Sequence, residues 1–172
     1  MGNVQRALTG ERFRGVRAVA FTLDGSLLVT ANDQGTIVLC DPIVGAVLRT
    51  FTDGTARGTS AMAISGLGTT LATVNDTGVV DLWDMRLGVV QGALTGHAMR
   101  VNALAFHRQR LTTAGDDGTL RVWDGASRQA LTMMRTDTPL RCCTWSPDGR
   151  VLFAGGRGGL FGYDYYPGVG NP

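Results

Sequence analysis

The stretch LTGHAMRVNALAFHRQRLTTAGDDGTLRVWD, residues 94–124, sets the reading of the chain. It opens on Gly96-His97, runs through the apolar stretch 101–106, and ends on Trp123-Asp124. Its opening recurs: ALTG stands at Ala93 before His97 and, 86 residues earlier, at Ala7 before Glu11. A weaker echo, Phe51-Thr-Asp-Gly-Thr, lies near the middle of that interval. A unit recurring at half the spacing means a stack of repeats.

The end of the stretch keeps the same beat. Trp83-Asp84 precedes Trp123-Asp124 by 40 residues, Tyr163-Asp164 follows by 40, and Cys40-Asp41 lies 43 before Trp83. Turn glycines recur at Gly35, Gly78, Gly118 and Gly159, and a second turn at Asp24-Gly25, Leu67-Gly68 and Asp148-Gly149. Between turns come short apolar runs of strand length. First strands are expected at 16–21, 59–64, 101–106 and 140–145, and second strands at 27–30, 71–74, 110–114 and 151–154. Third strands fall at 36–41, 79–84, 119–124 and 160–164, and more polar fourth strands at 47–51, 89–94 and 129–133. Four short antiparallel strands per roughly 40 residues describe a propeller blade.

Bulk composition agrees. Of 172 residues, 44% are hydrophobic and 17% charged, which reads as a globular chain able to bury a core. Glycine is abundant at 25 and proline sparse at 5, which suits tight turns between strands. The net charge of +2 is too small to argue for nucleic acid. No apolar run is long enough to span a membrane, and the first residues lead into no signal-like apolar segment. A cytoplasmic location is therefore expected. All 16 basic residues are Arg, and Glu11 is the only Glu among 14 acids. Cys40, Cys142 and Cys143 show no metal or redox spacing and read as apolar core residues. No metal and no cofactor is expected.

With Gly-His, a glycine turn and Trp-Asp in register, the sequence resembles the WD40-repeat family over nearly its whole length. The resemblance implies an all-β, WD40-type β-propeller of four four-stranded antiparallel blades, either a half-propeller or part of a larger seven- or eight-bladed ring. One domain, 1–172, would hold repeats at about 15–57, 58–99, 100–138 and 139–166. Residues 1–14 would carry the outer strand of a preceding or closing blade (4–8), and 167–172 a tail. Seven blades share a circle at about 51° each, whereas four would need about 90°. Two copies in one ring, a piece of a longer propeller, and an unusual four-bladed closure all stay open.

His97, Thr113 and Asp117 are the chemical types of a nucleophilic triad. The resemblance gives them another task, a structural hydrogen-bond chain with Trp123 that ties strands together. Other repeats lose it: Thr77 replaces the Asp, Gln34 and Cys40 replace Asp and Trp, and Ala154, Gly158 and Tyr163 fill the last copy. Glu11 and Thr55 take the His position. Gly155–Gly159 reads as a hairpin turn, since no helix follows to bind phosphate, and His107 as a lone solvated loop residue.

The family binds partners mostly on the face where one blade crosses to the next. Two sets of positions would ring it: Arg14, Arg57, Met99-Arg100 and Thr138-Pro139 before the first strands, and Asp33, Asp76, Asp116 and Arg157 at the second turns. The expected function is a non-enzymatic scaffold for proteins or peptides, part of a larger regulatory or signalling assembly. A second copy is a candidate partner; nucleic acid and membrane are not. A channel-site enzyme or small-molecule sensor is the rival reading, with Arg17, Asn102 and Arg141 interrupting an apolar lining. A degenerate repeat fragment without function is the third.

Overall fold

A computed structural model describes residues 7–52, 58–75 and 77–166. Most of the strand expected at 4–8, together with Thr55, Arg57, Asp76 and the 167–172 tail, lies outside them. Fifteen strands form among the described residues, with one 3-10 turn at Glu11–Phe13 before them. Blade 1 holds β1 (Val16–Phe21), β2 (Leu28–Asn32), β3 (Thr36–Cys40) and β4 (Val47–Thr52). Blade 2 holds β5 (Ala61–Ile64), β6 (Thr70–Val74), β7 (Val80–Asp84) and β8 (Val89–Leu94). Blade 3 holds β9 (Val101–His107), β10 (Arg110–Gly115), β11 (Thr119–Asp124) and β12 (Ala130–Arg135). Blade 4 has β13 (Leu140–Trp145), β14 (Val151–Gly156) and β15 (Gly159–Asp164). Each sheet is an antiparallel meander in chain order, three of them four-stranded and the last three-stranded among the described residues.

Alternation along each strand decides how the blades stack. Ile37 and Leu39 of β3 join Val29 and Ala31 on one face of blade 1, where they meet Leu71 and Trp83 of blade 2. Val80 and Leu82 repeat this against Leu111 and Trp123, and Leu120 and Val122 against Leu152 and Tyr163. The Trp of each Trp-Asp pair thus fills the seam with the blade before it. The first strands pack in series, β1 on β5, β5 on β9 and β9 on β13. The result is an arc of blades with three sealed seams.

Two expectations are corrected around blade 4. Cys142 is exposed on the free side of blade 4, whereas Cys40 is buried and Cys143 half-buried. Burial, with the neighbouring Cys142 adding to it, pushes the Cys143 thiol up to about 12. His107 is not a solvated loop residue. The β9–β10 connection is only Arg108-Gln109, so His107 ends β9, half-buried with its ring 5.8 Å from that of Trp145.

Candidate partner-binding face

Blade 3 holds a polar chain inside its sheet. The Trp123 indole N–H donates to Thr113 Oγ1 at 2.9 Å, and Thr113 Oγ1 lies 2.7 Å from His97 Nε2. The Thr113 hydroxyl then donates its own proton to Nε2, which leaves the His97 proton on Nδ1, 3.0 Å from Asp117 Oδ2. The His97 and Asp117 side chains are 1% and 4% exposed. Burial lowers the His97 pKa below its ordinary value, against the opposing pull of Asp117, so the imidazole is neutral at pH 7. Burial pushes the Asp117 carboxyl up, but donors from Thr119, Ala98 N–H and His97 together hold it at about 2.

Thr119 is the member that the sequence reading missed. Its hydroxyl donates to Asp117 Oδ1 at 2.7 Å and its N–H reaches the same oxygen at 3.0 Å. The signal was present, because Thr follows the turn glycine in both Gly35-Thr36 and Gly118-Thr119. Blade 2 keeps one link, Trp83 N–H to Thr73 Oγ1 at 2.8 Å. In blade 1, Asn32 Oδ1 takes the N–H groups of Gln34 and Thr36 instead. Thr113 is fully buried, with one lone pair on the indole. Its hydroxyl bridges the indole and the imidazole, so this set of residues ties β10 and β11 to the entry of the blade.

The face lies at the end where second turns meet the entries of the first strands. Backbone bonds hold the two sets together: Asp33 N–H donates to Gly15 O at 2.9 Å, and Asp116 N–H to Arg100 O at 2.8 Å. Gly15, at φ +64°, makes room for the Asp33 carboxylate, where a Cβ would collide with it. Met99, Arg100, Arg14 and Arg157 are exposed, and Asp33 and Asp116 half-buried. Arg14 and Arg157 sit on the first and last blades, so the arc holds them apart.

Two polar groups form on this face. Asn102 Nδ2 donates to Asp116 Oδ1 at 2.7 Å and to Leu140 O at 2.8 Å, while Arg141 pairs with Asp116 at 3.0 Å and bonds Asn102 Oδ1 at 3.2 Å. This group braces blade 3 against blade 4. The other is a cleft of about 230 Å³ lined by Arg17, Asp33, Gly58, Thr59, Ser60 and Arg100. Arg17 is exposed there and pairs with no carboxylate among the described residues. Among the same residues, no cluster of three His, Cys, Asp or Glu could hold a metal ion.

Comparison with known proteins bears on this architecture. Residues 2–41, 88–124 and 129–161 match the family model described as WD domain, G-beta repeat. A stretch of 59 residues is 34% identical to the pre-rRNA-processing protein crb3/ipi3 of Schizosaccharomyces pombe (strain 972 / ATCC 24843), covering 34% of this chain and 13% of that protein. Among solved structures, U3-55K superposes with a TM-score of 0.82 at 21% identity, over 93% of this chain and 51% of its own. The RRP9 WD40 repeats superpose with a TM-score of 0.76 at 20% identity, over 88% of this chain and 47% of theirs. The chain therefore spans about half the length of these solved propellers and a small part of the curated relative.

Proposed function

Because this chain belongs to the WD40 family, the WD domain, G-beta repeat, we propose that it is a non-enzymatic scaffold for proteins or peptides within a larger regulatory or signalling assembly. One observation carries the reading. Rigid sheets, sealed by Trp, Leu and Val seams, present a polar cleft whose Arg17 guanidinium has no partner among the described residues. Loops held by a stiff frame can vary without cost to the core, which is where binding surfaces arise. An exposed Arg favours a carboxylate of the partner, which it can grip through two N–H donors.

A second reading, a part in RNA processing, rests on the match to the pre-rRNA-processing protein over 59 residues. The net charge of +2 weighs against direct contact with nucleic acid. One experiment separates the readings: affinity purification with the native chain and with an Arg17→Glu/Arg100→Glu variant, each before and after ribonuclease. The scaffold reading expects proteins that survive ribonuclease and are lost with the variant, while circular dichroism stays unchanged. Equal recovery by both chains, or recovery that ribonuclease abolishes, overturns it.

A further inference from the structure

The end of the arc opposite the Arg17 cleft carries the turns from first to second strands. Several of these turns are apolar at their tips. Leu23, in the β1–β2 turn, is 84% exposed, and Leu67, in the β5–β6 turn, is 72% exposed. Pro147 stands exposed in the β13–β14 turn. Between them runs a groove of about 750 Å³, with Ile64 and Phe106, half-buried in the blade seams, also on its wall. All four blades contribute to it, so it is a feature of the assembled arc. Exposed apolar side chains gathered around a concave space of this size mark a binding groove rather than scattered surface residues.

The charge on that wall has one sign. Among the described residues Arg108 is the only Arg lining the groove, and no Asp or Glu joins it. It is exposed and pairs with no carboxylate among the same residues. The acids of the neighbouring turns are held within those turns. Asp24 Oδ1 accepts the Thr22 hydroxyl at 2.6 Å and Ser26 N–H at 3.0 Å. Asp148 Oδ1 accepts the Ser146 hydroxyl at 2.6 Å and Arg150 N–H at 3.1 Å. Arg108 itself opens the two-residue β9–β10 turn at φ +55°, where the matching turns of blades 1, 2 and 4 use Gly25, Gly68 and Gly149. A side chain at that φ is strained, and Gly is the usual choice in so short a hairpin. Gly66 N–H donates to Arg108 O at 3.2 Å, and Gly125 N–H to Gln109 O at 2.9 Å. The turn is thus clamped from blade 2 and from the β11–β12 turn of its own blade, and it keeps a guanidinium at the groove in spite of backbone strain.

We propose that this groove docks a peptide segment of a partner protein, with an apolar side chain among Leu23, Leu67 and Phe106 and an adjoining Asp or Glu on Arg108. Burial of the apolar side chain supplies the attraction, and the carboxylate, gripped through two N–H donors, fixes the register of the peptide. Charge selects this occupant. A cationic segment would meet Arg108 with like charge. An anionic bilayer would have to approach Asp24 and Asp148, both exposed at this end, whereas a peptide need meet only Arg108. The proposal stands independently of the cleft at Arg17, which lies at the other end of the blades.

The test pans a phage-displayed library of random short peptides on the purified native chain and measures the enriched peptides by fluorescence anisotropy. Peptides that place an Asp or Glu beside an apolar residue are expected to be enriched. Arg108→Gly removes the charge and relieves the turn at φ +55°, so it is expected to unfold in urea no earlier than the native chain while binding these peptides at least about tenfold more weakly. Leu67→Asp, on an exposed turn, is expected to lose binding to a similar degree, and Arg17→Glu/Arg100→Glu to leave it unchanged. No enrichment, enriched peptides without an acidic residue, or a folded Arg108→Gly chain of native affinity overturns the proposal. Phosphatidylserine vesicles that bind the native chain and not Leu67→Asp, or a particle mass that Leu67→Asp halves, would give the face to lipid or to a second copy and overturn it as well.

Discussion

Replacing Asp117 by Asn is the sharpest perturbation of the frame. The carboxylate accepts Thr119 N–H, Thr119 O–H, Ala98 N–H and the His97 Nδ1 proton over its two oxygens. An Asn side chain has one acceptor oxygen and turns an NH2 group toward the remaining donors. A buried donor left without a partner costs about 1–3 kcal/mol. The lowered pKa reports the same hydrogen bonds: a carboxyl held at about 2 rather than 3.8 corresponds to about 2 kcal/mol at neutral pH. The variant is therefore expected to lose about 1–3 kcal/mol at pH 7, read as a lower midpoint in urea with an unchanged slope. The sign with pH follows. A lowered carboxyl stabilises above its unfolded pKa and loses that contribution as pH falls through about 2, so native stability should decline between pH 4 and 2. The Asn variant lacks that portion of the decline. A loss under about 0.5 kcal/mol, or the same acid limb in both chains, refutes the view that this carboxylate holds blade 3.

Other consequences are open to test. Trp123→Phe keeps an aromatic ring but removes the indole donor to Thr113 and part of the volume buried in the seam, and is expected to cost about 2–4 kcal/mol in urea unfolding. Leu120→Ala empties the seam between blades 3 and 4 and is expected to cost about 2–5 kcal/mol by the same measure. Amide hydrogen exchange should be slower around Thr113 and Trp123 than around Ala154 and Tyr163, because blade 4 lacks both the network and a fourth strand among the described residues. A thiol reagent should label Cys142 quickly in the folded chain, with Cys40 and Cys143 labelled only on unfolding. His97, buried neutral with a lowered pKa, takes up a proton only on unfolding, so stability should also fall as pH drops below its ordinary value of 6.5.

Much of the frame was legible because each signal has a direct steric cause. Glycine turns, apolar alternation and Trp-Asp pairs recur at one spacing, and β1, β8, β11 and β13 fall where alternation put them. Strand ends at β5 and β12 shifted by a residue or two, since pairing with a neighbour, not local pattern, sets where a ladder stops. Cys142 and His107 were misread for a related reason. A strand shows two faces, but only the stacking of blades decides which one another sheet covers. Thr119 escaped because a hydroxyl at a strand start is common, and its value comes from Asp117 and His97 folding back onto it. The cleft at Arg17 and the Asn102–Asp116–Arg141 group were not legible in the sequence, because they need neighbouring blades side by side.

The central claim is that the arc of blades is a frame that presents the cleft at Arg17 to a protein partner. Affinity purification with the native chain and with the Arg17→Glu/Arg100→Glu variant, each before and after ribonuclease, tests it most directly. The account expects proteins that survive ribonuclease and are lost with the variant while circular dichroism stays unchanged. Equal recovery by both chains would contradict it.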